Sequence, residues 1–387
     1  MTLLSGPGAA IIGHRRLNIV IAPDSFKGSA RADEIAHAIA DGWREARPAD
    51  HLTVLAQADG GEGTLDAIAA AAPRARKHVI SRPVCGPDRQ PVAARWIELP
   101  GAVGVVELAE SSGLPLMAEL APTRATSRGL GQVIRSAIDH GCQRLVVGLG
   151  GSASTDAGIG VLLELGLCVY DKYGHRLDIA DSLDLTRIAA IDASGLMSPP
   201  DGGVEVLTDT SAPLCGRTGA AHMFGAQKGA GAEVRRDLDS ALAHFADLAE
   251  PVFDIDRSEP GTGAAGGVGF GLRAWGATLH SGAERIAELT ELSDAIDTSD
   301  LVITGEGRFD STSLTGKLVG TVLDRCRSAG VRNLVIAGDI AAPAPDLAVS
   351  LSEVAGSAER AIAAPQQFAH IAAREAAVWV SSEKALS

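Results

Sequence analysis

Aromatic side chains, paired cysteines and long apolar runs are all scarce in this chain of 387 residues. Phe, Trp and Tyr make up 3% of the residues whereas Gly occurs 45 times, a composition typical of α/β proteins whose helices pack closely on sheets. The cysteines show neither zinc-ligand spacing nor a disulfide framework, which predicts a reducing cytoplasm as the location. No run approaches the roughly 18 apolar residues that a membrane helix needs, so we expect a soluble protein.

Positive charge is also in short supply. The chain carries 34 Lys and Arg against 48 Asp and Glu, a formal net charge of -14. Because like charges repel, this balance argues against a nucleic acid or an anionic membrane as the main partner. The basic residues of the N-terminal segment follow its apolar ones, the reverse of a secretory signal, so we expect residues 1–16 to form a flexible leader.

The chain repeats a unit made of a short apolar strand, a loop rich in glycine and acids, and an amphipathic helix. LNIVIA, for example, leads through PDSFKGS to a helix in which Ile35, Ile39 and Trp43 share one face. This alternation predicts parallel sheets that are covered on both faces. The loops that follow the strands should then gather at one edge of the sheet, where ligands bind.

The segment from Ser81 to Arg128 differs, because its short runs and hairpin-like turns are typical of mixed or antiparallel strands. We therefore predict an α/β fold of two domains. One is a Rossmann-like or flavodoxin-like parallel sheet with helices on both faces, and it is interrupted by a second α/β domain with a mixed sheet. The predicted boundaries are 17–80 plus 285–387 for the first domain and 81–284 for the inserted one.

Two loops of the first domain combine acids with cations. In APDSFKGS, Asp24, Ser25 and Lys27 directly follow a strand. An aspartate there can ligate Mg²⁺ or accept a hydroxyl proton, and a lysine can neutralise a phosphate or a carboxylate. A turn capped by aspartate, with the lysine in solvent, is the alternative. The second loop, GEGRFDSTSLTGK, collects four charged residues: Glu306, Arg308, Asp310 and Lys317. A helix that starts near Asp310 would place Lys317 on the same face.

Acids follow two further strands. ADGGEGT places Asp59 and Glu62 three residues apart around two glycines, so that both carboxylates can reach one cation. An ordinary turn, with the glutamate on the helix dipole, is the alternative. VEVLTDTSAPL sends Asp209 out of another apolar strand, and a turn initiated by aspartate is the alternative there.

Two glycine-rich segments are candidates for phosphate binding. In GLGGSASTDAG, the small residues Gly150, Gly151 and Ser152 leave backbone N–H groups open to a phosphate, and Asp156 can hold a metal; simple capping of the next helix is the alternative. GTGAAGG contains four glycines, which are Gly261, Gly263, Gly266 and Gly267. It matches the dinucleotide fingerprint, but an acidic, proline-ended stretch precedes it in place of a strand. A phosphate loop and close packing of a helix start remain open for it.

Seven motifs, in their order and spacing, make the chain from Asn18 to Val378 resemble the bacterial type 1 glycerate kinase family. They are IAPDSFKGS, ADGGEGT, ATSRGLGQVI, GLGGSASTDAG, FGAQKGA, PGTGAAGGVGFGL and LVITGEGRFDSTSLTGK. The resemblance implies Mg²⁺-assisted transfer of the γ-phosphoryl group of ATP to D-glycerate, commonly at the 2-hydroxyl, with 3-phosphoglycerate as the alternative product. It also implies a two-domain α/β fold with the site in the cleft between the domains.

The chain departs from this family at two motifs. Where many members read GGSATNDGG, Thr155 replaces an Asn and Ala157 replaces a Gly, although Asp156 is kept. Where many members read CDVTNPL, Asp209 is kept but Ala212 replaces an Asn. These departures bear on the preference for D-glycerate over other small hydroxy acids.

The hypothesised roles follow residue type and loop position. The catalytic set is Asp24, Lys27, Asp209, Arg308 and Asp310, with Asp24 or Asp209 at the acceptor hydroxyl. The substrate-binding set is Ser25, Arg128 and Lys317, and Arg128 or Arg308 would join Lys27 on the carboxylate or the γ-phosphate. The metal set is Asp59, Glu62, Asp156 and Glu306, with Asp310 as a further candidate, and the nucleotide set is Gly150, Gly151, Ser152, Gly261, Gly263, Gly266 and Gly267.

The expected cofactors are ATP and Mg²⁺, and the expected assembly is a monomer or a homodimer. Two other functions remain open from the sequence. One is a non-catalytic protein that binds or senses a small organic acid, and the other is a nicotinamide-dependent dehydrogenase that uses GTGAAG.

Overall fold

The protein is described by a computed structural model, which covers residues 4–5, 15–26, 28–314, 318–344 and 346–381. Two predicted site residues, Lys27 and Lys317, lie outside the described residues, as does most of the predicted leader. Within the described ranges, no helix is long and apolar enough to cross a membrane.

The chain divides into two compact units. Unit 1 comprises Met1–Ala58, Asp66–Ala72 and Ala283–Ser387, and unit 2 comprises Asp59–Leu65 and Pro73–Gly282. The loop that holds Asp59 and Glu62 thus belongs to unit 2, whereas the predicted boundaries put it in the first domain.

The strands, in chain order, are β1 (Leu4–Ser5), β2 (Asn18–Ile21), β3 (His51–Val54), β4 (Arg76–Val79), β5 (Val84–Cys85), β6 (Pro91–Val92), β7 (Arg95–Leu99), β8 (Val103–Glu107), β9 (Arg144–Gly148), β10 (Cys168–Tyr170), β11 (Ala190–Asp192), β12 (Val204–Leu207), β13 (Thr278–His280), β14 (Leu301–Thr304), β15 (Arg308–Phe309), β16 (Arg332–Ala337), β17 (Asp339–Ile340) and β18 (Leu347–Ser350).

The α-helices are α1 (Ala32–Ala46), α2 (Thr64–Ala71), α3 (Ala109–Ser112), α4 (Arg128–His140), α5 (Ile159–Glu164), α6 (Ala220–Phe224), α7 (Ala232–Phe253), α8 (Ala264–Ala274), α9 (Gly282–Leu289), α10 (Leu292–Asp297), α11 (Leu318–Ala329), α12 (Leu351–Ala355), α13 (Ala358–Ala363) and α14 (Pro365–Ser381). Single 3-10 turns occupy Leu114–Leu116, Ser182–Arg187, Ala226–Lys228 and Ser311–Leu314.

Unit 1 is built on a sheet of order β1-β18-β16-β14-β2-β3, in which all pairs are parallel except the edge pair of β1 with β18. Its five parallel strands follow the flavodoxin-like order 2-1-3-4-5. Successive strand residues point to opposite faces, and both faces are buried: Ile19 and Ile21 pack with α1 and α14, whereas Val20 packs with α10 and α11. This confirms the predicted parallel sheet with helices on both faces.

Unit 2 contains the predicted mixed sheet, of order β13-β12-β9-β8-β7-β4. The strands from β13 to β8 are parallel, and β7 is antiparallel to both of its neighbours. A single core joins this sheet to α4, α5, α7 and α8. The parallel strands bring the loops after β8, β9, β12 and β13 to one edge of the sheet.

Two local expectations have clear outcomes. The helix after the first loop does bury Ile35, Ile39 and Trp43, each fully, which confirms the shared face. The expected helix start near Asp310 is wrong, because a 3-10 turn at Ser311–Leu314 follows this residue. In that turn the Ser313 hydroxyl accepts a hydrogen bond from the backbone N–H of Asp310 at 2.9 Å. Side-chain bonds of this kind to the backbone compete with helix formation.

Candidate active site

The first cluster of candidate residues lies in unit 1, after β2 and β14. These neighbouring strands are where the strand order reverses, the position at which ligands bind in open parallel sheets. The backbone N–H of Asp24 bonds the carbonyl of Gly305 at 2.8 Å, so the two loops are tied together. Glu306, the next residue, is half-buried. The structure therefore brings the first and last of the sequence-predicted loops to one place.

Within these loops the carboxylates organise their own backbone. Ser25 donates its N–H to the carboxylate of Asp24 at 2.6 Å. Asp310 accepts from the N–H of Thr312 at 2.8 Å and from its hydroxyl at 2.7 Å. The guanidinium of Arg308 is 3.9 Å from the Asp310 carboxylate and is two-thirds exposed, so it remains largely in solvent. The loop keeps a solvent-facing cation beside an oriented acid.

The second cluster lies in unit 2, where the loop from Asp59 packs on the end of β9. The carbonyl of Gly60 accepts the N–H of Gly150 at 2.9 Å. A Cβ on Gly150 would stand 2.2 Å from the Cα of Gly61, so this approach requires glycine. Asp59 is half-buried and bonds the N–H of Gly61 at 3.0 Å, whereas Glu62 is exposed. Two of the sequence motifs thus form one surface.

Glu107, at the end of β8, holds the same loop and was not predicted from the sequence. One of its oxygens accepts the N–H of Gly63 at 3.1 Å and the other accepts that of Leu65 at 3.0 Å, which satisfies the first N–H groups of α2. Burial raises the pKa of Glu107 to about 7, against the opposing effect of the two backbone bonds. The acid therefore titrates near neutral pH.

Asp209 follows β12, as predicted, and is exposed. Its carboxylate accepts the hydroxyl of Ser281, in the loop after β13, at 3.1 Å and the N–H of Gly282, the first residue of α9, at 2.8 Å. The aspartate thereby connects two neighbouring strand ends of unit 2.

Asp156 occupies a different environment, because it is almost fully buried. One oxygen accepts from the N–H of Ser127 at 2.9 Å and from its hydroxyl at 2.8 Å, and the other accepts the N–H of Gly158 at 3.1 Å. Ser127 immediately precedes α4, so the negative charge also lies at the positive end of that helix. Asp156 therefore links the ATSRGLGQVI motif to the GLGGSASTDAG motif.

Lys228 is the second residue that sequence reasoning missed. It is fully buried, and its ammonium donates to the hydroxyl of Ser152 at 2.9 Å and to the carbonyl of Ser154. Burial lowers the pKa of Lys228 to about 7, and the nearby Asp156 carboxylate opposes that shift. The same loop carries buried hydroxyls with no hydrogen-bond partner, on Ser154 and Thr155. A buried lysine thus lies beneath the predicted phosphate loop.

The GTGAAGG segment is packed against this loop. Helix α7 and a turn precede it, not a strand, so the context of a dinucleotide fingerprint is absent there. A Cβ on Gly266 would lie 2.0 Å from the carbonyl oxygen of Ser154, and its φ of +69° is left-handed. The carbonyl of Gly266 in turn accepts the N–H of Ala157 at 3.1 Å. Close backbone packing accounts for this glycine.

Arg128, predicted to bind substrate, is the first residue of α4. Its guanidinium pairs with Glu164 at 3.1 Å and with Asp178, and its side chain is one-fifth exposed. Two carboxylates of unit 2 therefore already contact this cation.

The missed residues differ in how visible they were. Glu107 ends an apolar strand, the same signal that identified Asp209, and could have been found in VGVVELAE. Lys228 lies in the FGAQKGA motif, but its partner Ser152 is 76 residues away, and no sequence spacing predicts that contact.

Comparisons with known proteins agree with one another. The family model for the glycerate kinase family matches residues 19–380. The chain is 40% identical to the glycerate 2-kinase of Escherichia coli K12 over 308 residues, which are 78% of this chain and 80% of that protein. It is 38% identical to the glycerate kinase of Bacillus subtilis 168, over 84% of this chain and 85% of that one. A crystal structure of a protein from Salmonella typhimurium LT2, proposed to be a glycerate kinase 2, superposes with a TM-score of 0.78 at 33% identity, covering 96% of this chain and 100% of the other.

Proposed function

The chain belongs to the glycerate kinase family and is a glycerate kinase enzyme, and we propose on this premise that it transfers the γ-phosphoryl group of ATP to the 2-hydroxyl of D-glycerate. The observation that carries the 2-position is the 40% identity to a glycerate 2-kinase over most of both chains. In the reaction the bond between the γ-phosphorus and the β–γ bridging oxygen breaks and ADP leaves. The 2-oxygen forms the new bond to phosphorus and loses its proton.

The acceptor hydroxyl needs a carboxylate that takes this proton. Asp24 and Asp209 are the two candidates, and each is held in place by backbone N–H donors of its own unit. Asp24 is supported by its place at the switch point of the unit 1 sheet, and Asp209 by its exposure at the sheet edge of unit 2. Parallel tests of Asp24→Asn and Asp209→Asn assign the proton acceptor, because only its loss removes the proton transfer itself.

Carboxylates within each cluster are candidates to hold Mg²⁺. It prefers oxygen ligands and keeps several waters, so one or two accessible carboxylates suffice. In unit 2, Asp59 and Glu62 fit this requirement, because both lie in the loop after β3, where Glu62 is exposed and Asp59 is half-buried. In unit 1, Glu306 is the candidate; its side chain is half-buried and one of its carboxylate oxygens is fully buried. When bound, the ion supplies positive charge that stabilises the charge developing on the phosphoryl oxygens.

Asp156 and Arg128 are better suited to positioning than to direct contact with ligands. The carboxylate of Asp156 already accepts three hydrogen bonds at a buried site, which fix the start of α4 and the Gly150 loop. Arg128 has its guanidinium on two carboxylates. We assign to Asp156 the task of holding the predicted phosphate loop in shape, with Lys228 beneath it, and to Arg128 that of joining the start of α4 to the end of α5.

A coupled ADP-release assay tests the proposal. With Mg²⁺, folded protein should release ADP with D-glycerate, and far less with L-glycerate or hydroxypyruvate, and removal of Mg²⁺ with EDTA should stop the reaction. Phosphorus NMR of the product should show 2-phosphoglycerate. A 3-phosphoglycerate signal would overturn the assignment of the 2-hydroxyl, and no ADP release with any of the three acids would overturn the kinase reaction itself.

A further inference from the structure

Unit 2 carries a second group of metal-ligating side chains that belongs to neither cluster described above. His78, Glu98 and His140 offer one ligand atom each, and within the described residues these atoms lie within 4.8 Å of one another. We infer that these three residues bind one Zn²⁺ ion, which would attach the edge strand β4 to the end of helix α4.

The fold brings the three residues together from distant parts of the sequence. In the antiparallel pair of β4 with β7, His78 is directly opposite Trp96, and Glu98, two residues further on, shares that face of the sheet. Helix α4 covers the same face. The indole N–H of Trp96 bonds the hydroxyl of Ser136 at 3.3 Å, and His140 lies one helical turn beyond Ser136 on the same side of the helix.

Two of the three ligand separations are close to those of a tetrahedral zinc site, and the third is within 4.8 Å. Donors about 2.0 to 2.1 Å from a tetrahedral zinc lie about 3.3 Å from one another. One Glu98 oxygen is 3.2 Å from Nε2 of His78 and 3.8 Å from Nε2 of His140. Movement of the half-exposed His140 by a few tenths of an ångström would bring the second distance to the required value. A set of two histidines and one glutamate, with water in the fourth position, is also an established zinc ligand set.

The ring geometry holds one ligand ready for the ion. His78 stacks on Trp96 with centroids 4.1 Å apart and planes 8° apart, which fixes the orientation of its imidazole. The ring of His140 stands edge-on to that of His78 at 4.3 Å. The side chains of His78 and Glu98 are only about one-fifth exposed, so two of the three ligands are held by packing before any ion binds.

The charges favour a cation of this class. A carboxylate and two imidazoles suit zinc among the divalent ions that cells supply, whereas Mg²⁺ prefers oxygen ligands alone. The site is therefore expected to discriminate between zinc and the magnesium of the kinase reaction. Binding would stabilise the edge strand, because β4 is hydrogen-bonded to β7 alone in its sheet.

Titration of metal-free protein with zinc chloride tests the site. The full chain, without a polyhistidine tag and stripped by chelation and dialysis, is titrated by calorimetry beside His140→Gln and Glu98→Gln. Wild-type protein should bind one Zn²⁺ here and unfold at a higher temperature with zinc present. Each variant lacks one ligand and should bind at least about tenfold more weakly, since even changes outside the ligand shell cost 10- to 100-fold in affinity.

The chain offers a matched control in unit 1. Nε2 of His370 is 3.2 Å from an oxygen of Glu45, the same separation as in the His78 and Glu98 pair, but no third ligand joins them among the described residues. His370→Gln should therefore bind zinc as the wild type does. Equal zinc affinity in wild type and His140→Gln, or no zinc binding by the wild type, overturns the proposal.

Two further readouts separate this site from zinc on the free thiols and from a folding defect. Co²⁺ in a tetrahedral site of nitrogen and oxygen ligands gives visible absorption bands without thiolate charge-transfer bands, and His140→Gln should lose them. In EDTA, His140→Gln should unfold at the wild-type temperature because its side chain is half-exposed. If it unfolds lower, hydrogen exchange decides: zinc should slow exchange of the β4 amides in wild-type protein, and unchanged exchange counts against the site.

Discussion

The pH dependence of stability should carry the signature of Lys228. This lysine is fully buried, and burial lowers its pKa from the ordinary 10.5 to about 7. Between these values the unfolded chain binds a proton that the folded protein lacks, so stability rises with pH. The stabilising contribution is complete above pH 10.5 and is lost as the pH falls through about 7. Lys228→Met removes the titrating group and keeps an unbranched side chain in the same space.

The size of this effect follows from the linkage relation. One proton changes the free energy of unfolding by at most about 1.4 kcal/mol per pH unit, and a folded pKa near 7 gives about 2 kcal/mol between pH 7 and pH 9. Lys228→Met should lack this rise. At pH 7 the variant should lose little stability or none, because it removes a desolvated cation but leaves the hydroxyl of Ser152 and the carbonyl of Ser154 without their donor.

Urea unfolding at pH 7, 8 and 9 measures the difference, with the free energy taken from linear extrapolation at each pH. Lys172→Met is the matched control, because Lys172 is exposed and its removal should preserve the wild-type rise. Phosphoryl transfer should fall at least about tenfold in Lys228→Met, about 1.4 kcal/mol of barrier, since the Ser152 loop loses its anchor. If the free energy of unfolding changes with pH equally in wild type and Lys228→Met, the inference that Lys228 is buried with a lowered pKa is refuted.

Three other perturbations have defined outcomes. Because the pKa of Glu107 is raised from 4.5 to about 7, its protonated form stabilises the folded protein at low pH, and this stability is lost as the pH rises through about 7. The free energy of unfolding of the wild type should therefore fall by about 2 kcal/mol between pH 5 and pH 7. Glu107→Gln should show no such fall, and urea titrations at both pH values measure the difference. Gly266→Ala should cost at least about 3 kcal/mol, since its Cβ would overlap the carbonyl of Ser154, whereas Gly174→Ala, left-handed but in open space, should cost about 1 kcal/mol. Asp310→Asn should keep the thermal stability but lower the rate of phosphoryl transfer at least about tenfold. A wild-type rate in the ADP-release assay would show that Asp310 only shapes a turn.

The fold was largely predictable because its signals are local. Strands such as β2 and β14 are apolar on both faces, which only a sheet covered by helices on both sides allows, and this pattern is readable in four or five residues. The order of the strands was not readable. The sheet places β14 next to β2, although some 280 residues separate them, and their pairing depends on contacts that no short window contains.

The segment before α11 shows a second limit on what can be predicted from the sequence. Leu314, Leu318 and Val322 are four residues apart, the spacing of one face of a helix. Leu314 is instead exposed in a 3-10 turn, because Asp310 and Ser313 form side-chain bonds with the backbone that compete with helix formation. Ser and Asp favour such local bonds, and periodicity alone does not weigh them.

The candidate site was predicted loop by loop, but the roles of its acids depend on long-range contacts. Asp156 and Asp59 both follow strands and both precede helices, so their sequence contexts are alike. Asp156 is buried and accepts bonds from Ser127 and Gly158, whereas Asp59 is half-buried beside a glycine turn. A carboxylate whose oxygens are occupied by backbone donors loses them as metal ligands, and one left near solvent keeps them. Burial therefore sorts the acids that shape the loops from those open to Mg²⁺, and Glu107 belongs with Asp156 although its strand-end position resembles that of a ligand.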